Sequence, residues 1–291
     1  MMDLPRAASR DVGAIRVTTV ADGVRRFPLP DGLVVNVDRR AVLAALEASG
    51  LPPGQMEMYD NPVVIDTAGG RVLIDTGFGE ACGQAKGATS GLLLRSLAVA
   101  GIDPESIDVV VISHFHVDHV SGLIAADGTP AFPRARVLVP APEWAFWMDD
   151  ARMAAAQGRV ADLFALNRRI FARLGERVSR FAWADELLPG LTAIGTPGHT
   201  PGHTSFLVRS GGRSMLVQSD VTNTPTLFVV HPDWQIFLDM DGVEAAAQRH
   251  RIYDLAASED MLVQGFHFPF PSRGTIVKVG SGYRLVAQDE L

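Results

Sequence analysis

Short apolar runs, several of them rich in Val and Ile, alternate along the chain with segments of helical period. The pattern predicts strands at 14–20, 62–67 and 71–75, the last two joined by Ala68-Gly69-Gly70, a hairpin signal. The run Val109-Val110-Val111-Ile112 predicts a buried strand over 108–112. Further strands fall at 136–139, 191–195, 205–209, 214–217 and 261–264, with a terminal hairpin at 275–279 and 283–287. Helices are predicted over 39–49, closed by Gly50 and the Pro52-Pro53 pair, and over 91–100, 141–157, 160–174 and 243–257. Residues 1–30 read as an N-terminal arm, its first 13 residues loose and 27–32 a proline-bearing loop. The glycine-rich 77–91 stretch also reads as a loop. Strands and helices alternate twice, and no Ser/Gly linker divides them. The chain therefore reads as an α/β protein, one αβ/βα sandwich domain over 1–291 with a helical insertion at 141–175.

The predicted strand at 108–112 runs into Ser113-His114-Phe115-His116-Val117-Asp118-His119, which holds three of the eight histidines. In extended backbone His114 and His116 share a face, because side chains two apart point the same way. Once the chain turns towards a helix, Asp118 and His119 leave that face and can serve a second position. Two imidazoles on one side, and a carboxylate with an imidazole on the other, suit two neighbouring ions of the zinc or iron type.

His-x-His-x-Asp-His after an apolar strand resembles the signature of the metallo-β-lactamase superfamily. Other stretches of the chain resemble that family's pattern in the same order: Leu73-Ile74-Asp75-Thr76-Gly77, Thr196-Pro197-Gly198-His199, Met215-Leu216-Val217 leading to Asp220, and Gly265-Phe266-His267. The resemblance implies a four-layer αβ/βα sandwich with two mixed β-sheets flanked by helices. It implies one metal position at His114, His116 and His199, a second at Asp118, His119 and His267, and Asp220 bridging them. Asp75 is expected to orient a ligand histidine, and His203 to serve as support rather than ligand. Asp118 and Asp220 are the expected catalytic carboxylates, Asp118 being placed to take or give a proton. Mixed nitrogen and oxygen donors admit manganese, iron or cobalt, with two Zn²⁺ ions the first expectation. One departure is visible: Ser219 stands where a glycine usually precedes the bridging aspartate.

Within the superfamily the text resembles the methyl parathion hydrolase-like branch, on the His199-Thr200-Pro201-Gly202-His203-Thr204 block, the Phe270-Pro271-x-x-Gly274-x-Ile276 loop and the Gly282-Tyr283-Arg284 ending. That branch implies a dinuclear hydrolase attacking an ester, lactone or organophosphate triester with a hydroxide shared by the ions, and also a homodimer. Alternatives on the same ligand set are an N-acyl-homoserine lactonase, a glyoxalase II-like thiolester hydrolase and a mononuclear-iron persulfide dioxygenase. The lactonases typically carry a tyrosine soon after the bridging aspartate. Here Val221-Thr222-Asn223-Thr224-Pro225 follows Asp220, so that reading is the less favoured. Trp144, Trp147, Phe228, Phe268 and Phe270 are expected to wall an apolar substrate pocket, with Arg273 on a substrate oxygen.

Composition narrows the partners. A net charge of −7 argues against nucleic acid, since phosphate binding needs clustered Lys and Arg. The hydrophobic fraction of 47% supports a sizeable core, yet no apolar run reaches the roughly 20 residues of a membrane span. The expected partner is a small neutral or apolar substrate. Cys82 is the single cysteine, which excludes an internal disulfide; it reads as a plain surface thiol. With no apolar leader at the start, a cytoplasmic location is expected.

Overall fold

The structure, a computed structural model, describes residues 5–52, 54–81 and 89–288. Cys82 and the 82–88 part of the expected loop lie outside the described residues. Seven strands form the first sheet, in the order β1-β2-β5-β6-β7-β8-β9. They are β1 Ala7–Val12, β2 Ile15–Val20, β5 Val63–Thr67, β6 Gly70–Ile74, β7 Val109–Val111, β8 Arg136–Pro140 and β9 Val178–Phe181. The second sheet runs in sequence order from β10 to β16. Its strands are β10 Glu186–Leu188, β11 Leu191–Gly195, β12 Thr204–Ser210, β13 Arg213–Val217, β14 Leu262–Gln264, β15 Arg273–Val279 and β16 Gly282–Ala287. Both sheets are mixed: β6, β7, β8 and β9 pair in parallel, as do β13 and β14, and the other pairs are antiparallel.

The two sheets pack face to face. Val17, Ile65, Val72, Val109 and Val111 of the first meet Leu191, Ala193, Phe206, Val208 and Met215 of the second in one buried cluster. The outer face of the first sheet, through Val64, Leu73 and Val110, is covered by the helices Leu93–Val99 and Gly158–Leu174. The helix Gly242–Ser258 covers the second sheet through Ile252, Tyr253 and Ala256. Helix, sheet, sheet and helix make the four-layer αβ/βα sandwich of the metallo-β-lactamase fold. Strand β7 is all valine and buried, which suits a parallel strand covered on both faces.

Three differences from the sequence reading have local causes. Residues 7–28 are not an arm: β1 and β2 form the edge of the first sheet, and β3 (Gly23–Pro28) pairs with β4 (Gln55–Asp60) in a separate two-stranded sheet. Neither β3 nor β4 shows a strong apolar run, because these strands bury only one side. The helix expected over 141–157 is two, Ala141–Trp147 and Asp150–Ala155, since the Asp149 carboxylate caps a fresh start by accepting from Arg152 N–H at 2.9 Å. The short strands β9 and β10 carry too little apolar text to read. Among the described residues no helix is long and apolar enough to cross a membrane.

Candidate metal centre

Every group in the centre stands at the C-terminal end of a strand. β7 delivers residues 113–119, and the helical turn Val117–Val120 begins just after His116. His199 follows β11, Asp220 follows β13 and His267 follows β14. Both sheets therefore contribute, and the donors meet at their shared rim.

Three groups of donors lie close enough to hold ions: His114, His116 and His199; His114, His119 and Asp220; and Asp118, His119 and His267. His116 Nδ1 stands 3.1 Å from His114 Nε2 and 2.9 Å from His199 Nε2. Asp220 sits between the groups, with Oδ2 at 3.1 Å from His267 Nε2 and 3.4 Å from His199 Nε2, and Oδ1 at 3.3 Å from His119 Nε2. Asp118 Oδ2 lies 3.7 Å from His267 Nε2. His119 Nε2 and Asp220 Oδ1 are buried and lack a hydrogen-bond partner among the described residues. Buried polar atoms are ordinarily satisfied, so these orphans fit a pair of cations. All seven residues expected as ligands are brought together.

The opposite ring nitrogens are held. His119 Nδ1–H donates to Asp75 Oδ2 at 2.8 Å, and the same carboxylate accepts from the backbone N–H and hydroxyl of Ser113. His114 Nδ1 lies 3.0 Å from the Ser113 hydroxyl, His199 Nδ1 donates to Asp239 at 2.8 Å, and His267 Nδ1 donates to the Tyr59 carbonyl at 2.6 Å. Each contact fixes the tautomer that leaves Nε2 free for an ion. His203 does not face the cluster as a donor: its Nδ1–H donates to the Thr196 carbonyl, and its Nε2 accepts from Asp220 N–H at 3.0 Å.

Glu143 ties the motif loop to the His199 turn. It accepts from Phe115 N–H and Trp147 Nε1–H on one oxygen, and from the Thr200 hydroxyl and Gly202 N–H on the other. The glycines of the turn are sterically required. A Cβ on Gly198, whose φ is +124°, would lie 2.3 Å from Ala245 N, and one on Gly202 would lie 2.1 Å from Glu143 N.

Crowding shapes the charges. Burial and the neighbouring imidazoles hold His114 and His116 well below the usual histidine range. Burial works against a charge on His267 too, but Asp220, Asp60 and Asp118 outweigh it and push its pKa up to about 10. His119 is raised in the same way by Asp220 and Asp75. Burial would raise Asp118, yet His119, Arg25 and His267 hold it down to about 2. Metal-free, the cluster keeps its carboxylates ionised and carries protons where ions would stand.

A cavity of about 160 Å³ opens over the cluster, bordered by Met58, Phe78, Val117, Leu163 and Leu238 with Arg25, Arg159 and Asn223. Phe78 and Val117 also border a neighbouring cavity of about 360 Å³, which continues along Ile124, Leu166 and Ile170. The expected pocket residues lie elsewhere. Trp147 is buried in the core, where its indole N–H is held by Glu143, and Trp144 packs edge-on against Phe171. Phe228 is buried beneath the Arg249 guanidinium, and Phe268 fills the core under the second sheet. Phe270 lies against Arg6, and Arg273 is buried at the head of β15 near the Ala8 carbonyl. Large aromatics were drawn into cores by the area they bury. The actual walls are Met58, Leu163, Leu238, Arg25 and Arg159, which lie outside the sequence motifs, together with Val117 inside the histidine motif and Phe78 just after Leu73–Gly77. Asn223, another wall, donates to Asp220 Oδ2 at 2.9 Å.

The family model described as Metallo-beta-lactamase superfamily matches residues 58–266. An N-acyl homoserine lactonase of Bacillus sp. is 28% identical over 180 residues, which span 56% of this chain and 63% of that protein. One from Bacillus cereus is 25% identical over 234 residues, 74% of this chain and 84% of that protein. Among solved structures, AidC, a dizinc quorum-quenching lactonase in complex with a product, superposes with a TM-score of 0.92 at 22% identity, covering 99% of each chain. The hydrolase AbOPH in the beta lactamase superfamily gives 0.90 at 23% identity, again over 99% of each chain.

Proposed function

The chain belongs to the metallo-beta-lactamase superfamily, and from that premise we propose that it is a dinuclear metal-dependent hydrolase of lactones or esters. The observation that carries the reading is the convergence of seven donors, three imidazoles on one side and a carboxylate with two imidazoles on the other, about Asp220. In this reading His114, His116 and His199 hold one ion, Asp118, His119 and His267 the other, and Asp220 both. Two divalent ions there, zinc by the chemistry of the donors, would polarise the substrate oxygen and acidify water near neutral pH. The chain's own residues do the rest. Asp75, Ser113, Asp239 and the Tyr59 carbonyl fix the imidazole tautomers. Asp118 borders the cavity, where its carboxylate can take or give a proton. Met58, Phe78, Val117, Leu163 and Leu238 shed water from the reacting group and receive an apolar substrate.

The lactone class moves ahead of its place in the sequence reading. The missing tyrosine after Asp220 counted against a lactonase, but curated relatives at 25–28% identity carry that name. The neighbouring apolar cavity, which shares Phe78 and Val117 with the one over the cluster, would suit a substrate with an acyl chain. The likeness to the methyl parathion hydrolase-like branch rests on the residues quoted from the chain, and keeps a phosphotriester in the test panel.

Elemental analysis of the purified protein, followed by assays on N-acyl homoserine lactones, p-nitrophenyl esters and a phosphotriester, tests the proposal. About two ions per chain are expected, with hydrolysis fastest on lactones and abolished by chelation and by His116→Ala. One iron per chain and no hydrolysis would move the protein to the oxidative alternative.

A further inference from the structure

The two-stranded sheet β3–β4 stands outside both main sheets, yet it reaches the metal centre. Arg25 on β3 makes a two-toothed contact with Asp60 on β4, Nη2 to Oδ1 at 2.7 Å and Nε to Oδ2 at 3.1 Å. The same Nη2 donates to Asp118 Oδ2 at 3.1 Å. Among the described residues no other hydrogen bond reaches the Asp118 carboxylate. The guanidinium lies over the Phe78 ring, 4.6 Å from its centroid, and its side chain is only 20% exposed. Asp60 is fully buried, and its Oδ1 lies 3.5 Å from His267 Nδ1, which the neighbouring Tyr59 carbonyl holds.

One small sheet therefore touches both Asp118, from the first main sheet, and His267, from the second. The charge balance is telling. A lone guanidinium beside a metal site would repel the ion, but the buried Asp60 carboxylate neutralises it. What remains is direction: a planar fork that fixes one carboxylate by way of another. An ordinary structural ion pair would need no second carboxylate from a different sheet.

We infer that Arg25, anchored by Asp60, is a positioning residue that orients Asp118 and governs occupancy of the second metal position. The inference rests on the two-metal reading above. Partners that orient ligand side chains typically affect metal affinity by about 10–100-fold, and that is the size expected here.

The test is a Zn²⁺ titration of the metal-free chain against a chromophoric chelator, with circular dichroism on every variant. The wild type takes up two ions in two steps. Arg25→Ala keeps the first affinity and weakens the second by about 10–100-fold. Asp60→Asn, which keeps the side chain's shape but removes the anchor's charge, weakens the same step, and the double variant is no worse than the weaker single one. Arg25→Lys keeps the charge but not the fork, so it recovers at most part of the loss. Arg26→Ala, which removes an exposed ion pair with Glu57 on the same two strands, leaves both steps unchanged. Should Arg25→Ala fail to fold, Arg25→Lys and Asp60→Asn decide the matter alone. Two ions in the wild type with an unchanged second affinity in folded variants, or an equal loss at both steps, overturns the inference and leaves the two-metal reading standing. A wild type that takes up fewer than two ions overturns both.

Discussion

At the scale of single residues, the centre is built on backbone that most side chains avoid. Ser219, just before Asp220, has a φ of +53°, and Asp75 has +60°. The Asp75 carboxylate makes three contacts that hold it there. Ser219 has no such excuse: its hydroxyl is buried and lacks a hydrogen-bond partner among the described residues. A non-glycine residue in the left-handed region costs roughly 1–2 kcal/mol. Glycine returns roughly 0.5–1 kcal/mol of that through the freedom it has in the unfolded chain. Burying a bare hydroxyl costs more again. Ser219→Gly is therefore expected to stabilise the protein by about 1 kcal/mol, read as a higher urea midpoint at unchanged slope. The departure visible in the sequence is thus a strained position and not a lost ligand. A midpoint that falls would mean the hydroxyl has a role that the static contacts do not reveal.

Elements explain what was legible and what was not. The convergence of the seven candidate donors could be read because strand ends concentrate rare residue types at fixed spacings, and His-x-His-x-Asp-His has few other uses. The sheets could be read because β5, β7 and β13 are apolar runs. Strand β3 could not, since its alternation is broken by Arg25 and Arg26, and Arg25 acts on a carboxylate 93 positions away. The pocket walls failed for a related reason: aromatic text near a motif signals burial before it signals substrate. Glu143 illustrates an element-level role hidden in plain composition, since it lies in the inserted helix Ala141–Trp147 and joins the motif loop to the His199 turn. Burial raises its pKa, and its four donors counter that. Glu143→Ala leaves those four donors without an acceptor. At about 1–3 kcal/mol for each group left unpaired, and with water recovering some, a loss of about 3 kcal/mol or more is expected in urea unfolding. Glu143→Gln keeps the shape and should lose less. A Glu143→Ala protein within about 1 kcal/mol of the wild type would show that water replaces the bonds.

At the scale of the whole molecule, two seven-stranded sheets share at their rims one cluster of candidate metal donors. His114, His116, Asp118 and His119 come from the first sheet, and His199, Asp220 and His267 from the second. Ions bound there would staple the halves, and whatever binds only the folded state stabilises it by mass action. At free ion about 1,000 times the dissociation constant the gain is about 4 kcal/mol, on the order of 10 °C in Tm for a chain of this size. The pH dependence has a definite sign. In the metal-free protein the His267 pKa is raised to about 10. A raised pKa gives stability that is fully present below the unfolded histidine value near 6.5 and is lost as pH climbs towards the folded one. His119, raised in the same direction, adds to that loss. Ion binding displaces the same protons, so the loaded protein gains where the metal-free one weakens. Melting both forms between pH 6.5 and 9 should show the gap in Tm widening as pH rises. A gap that stays constant would mean the protons on His119 and His267 do not compete with the ions, and the cluster's charge would then have to be balanced by another group.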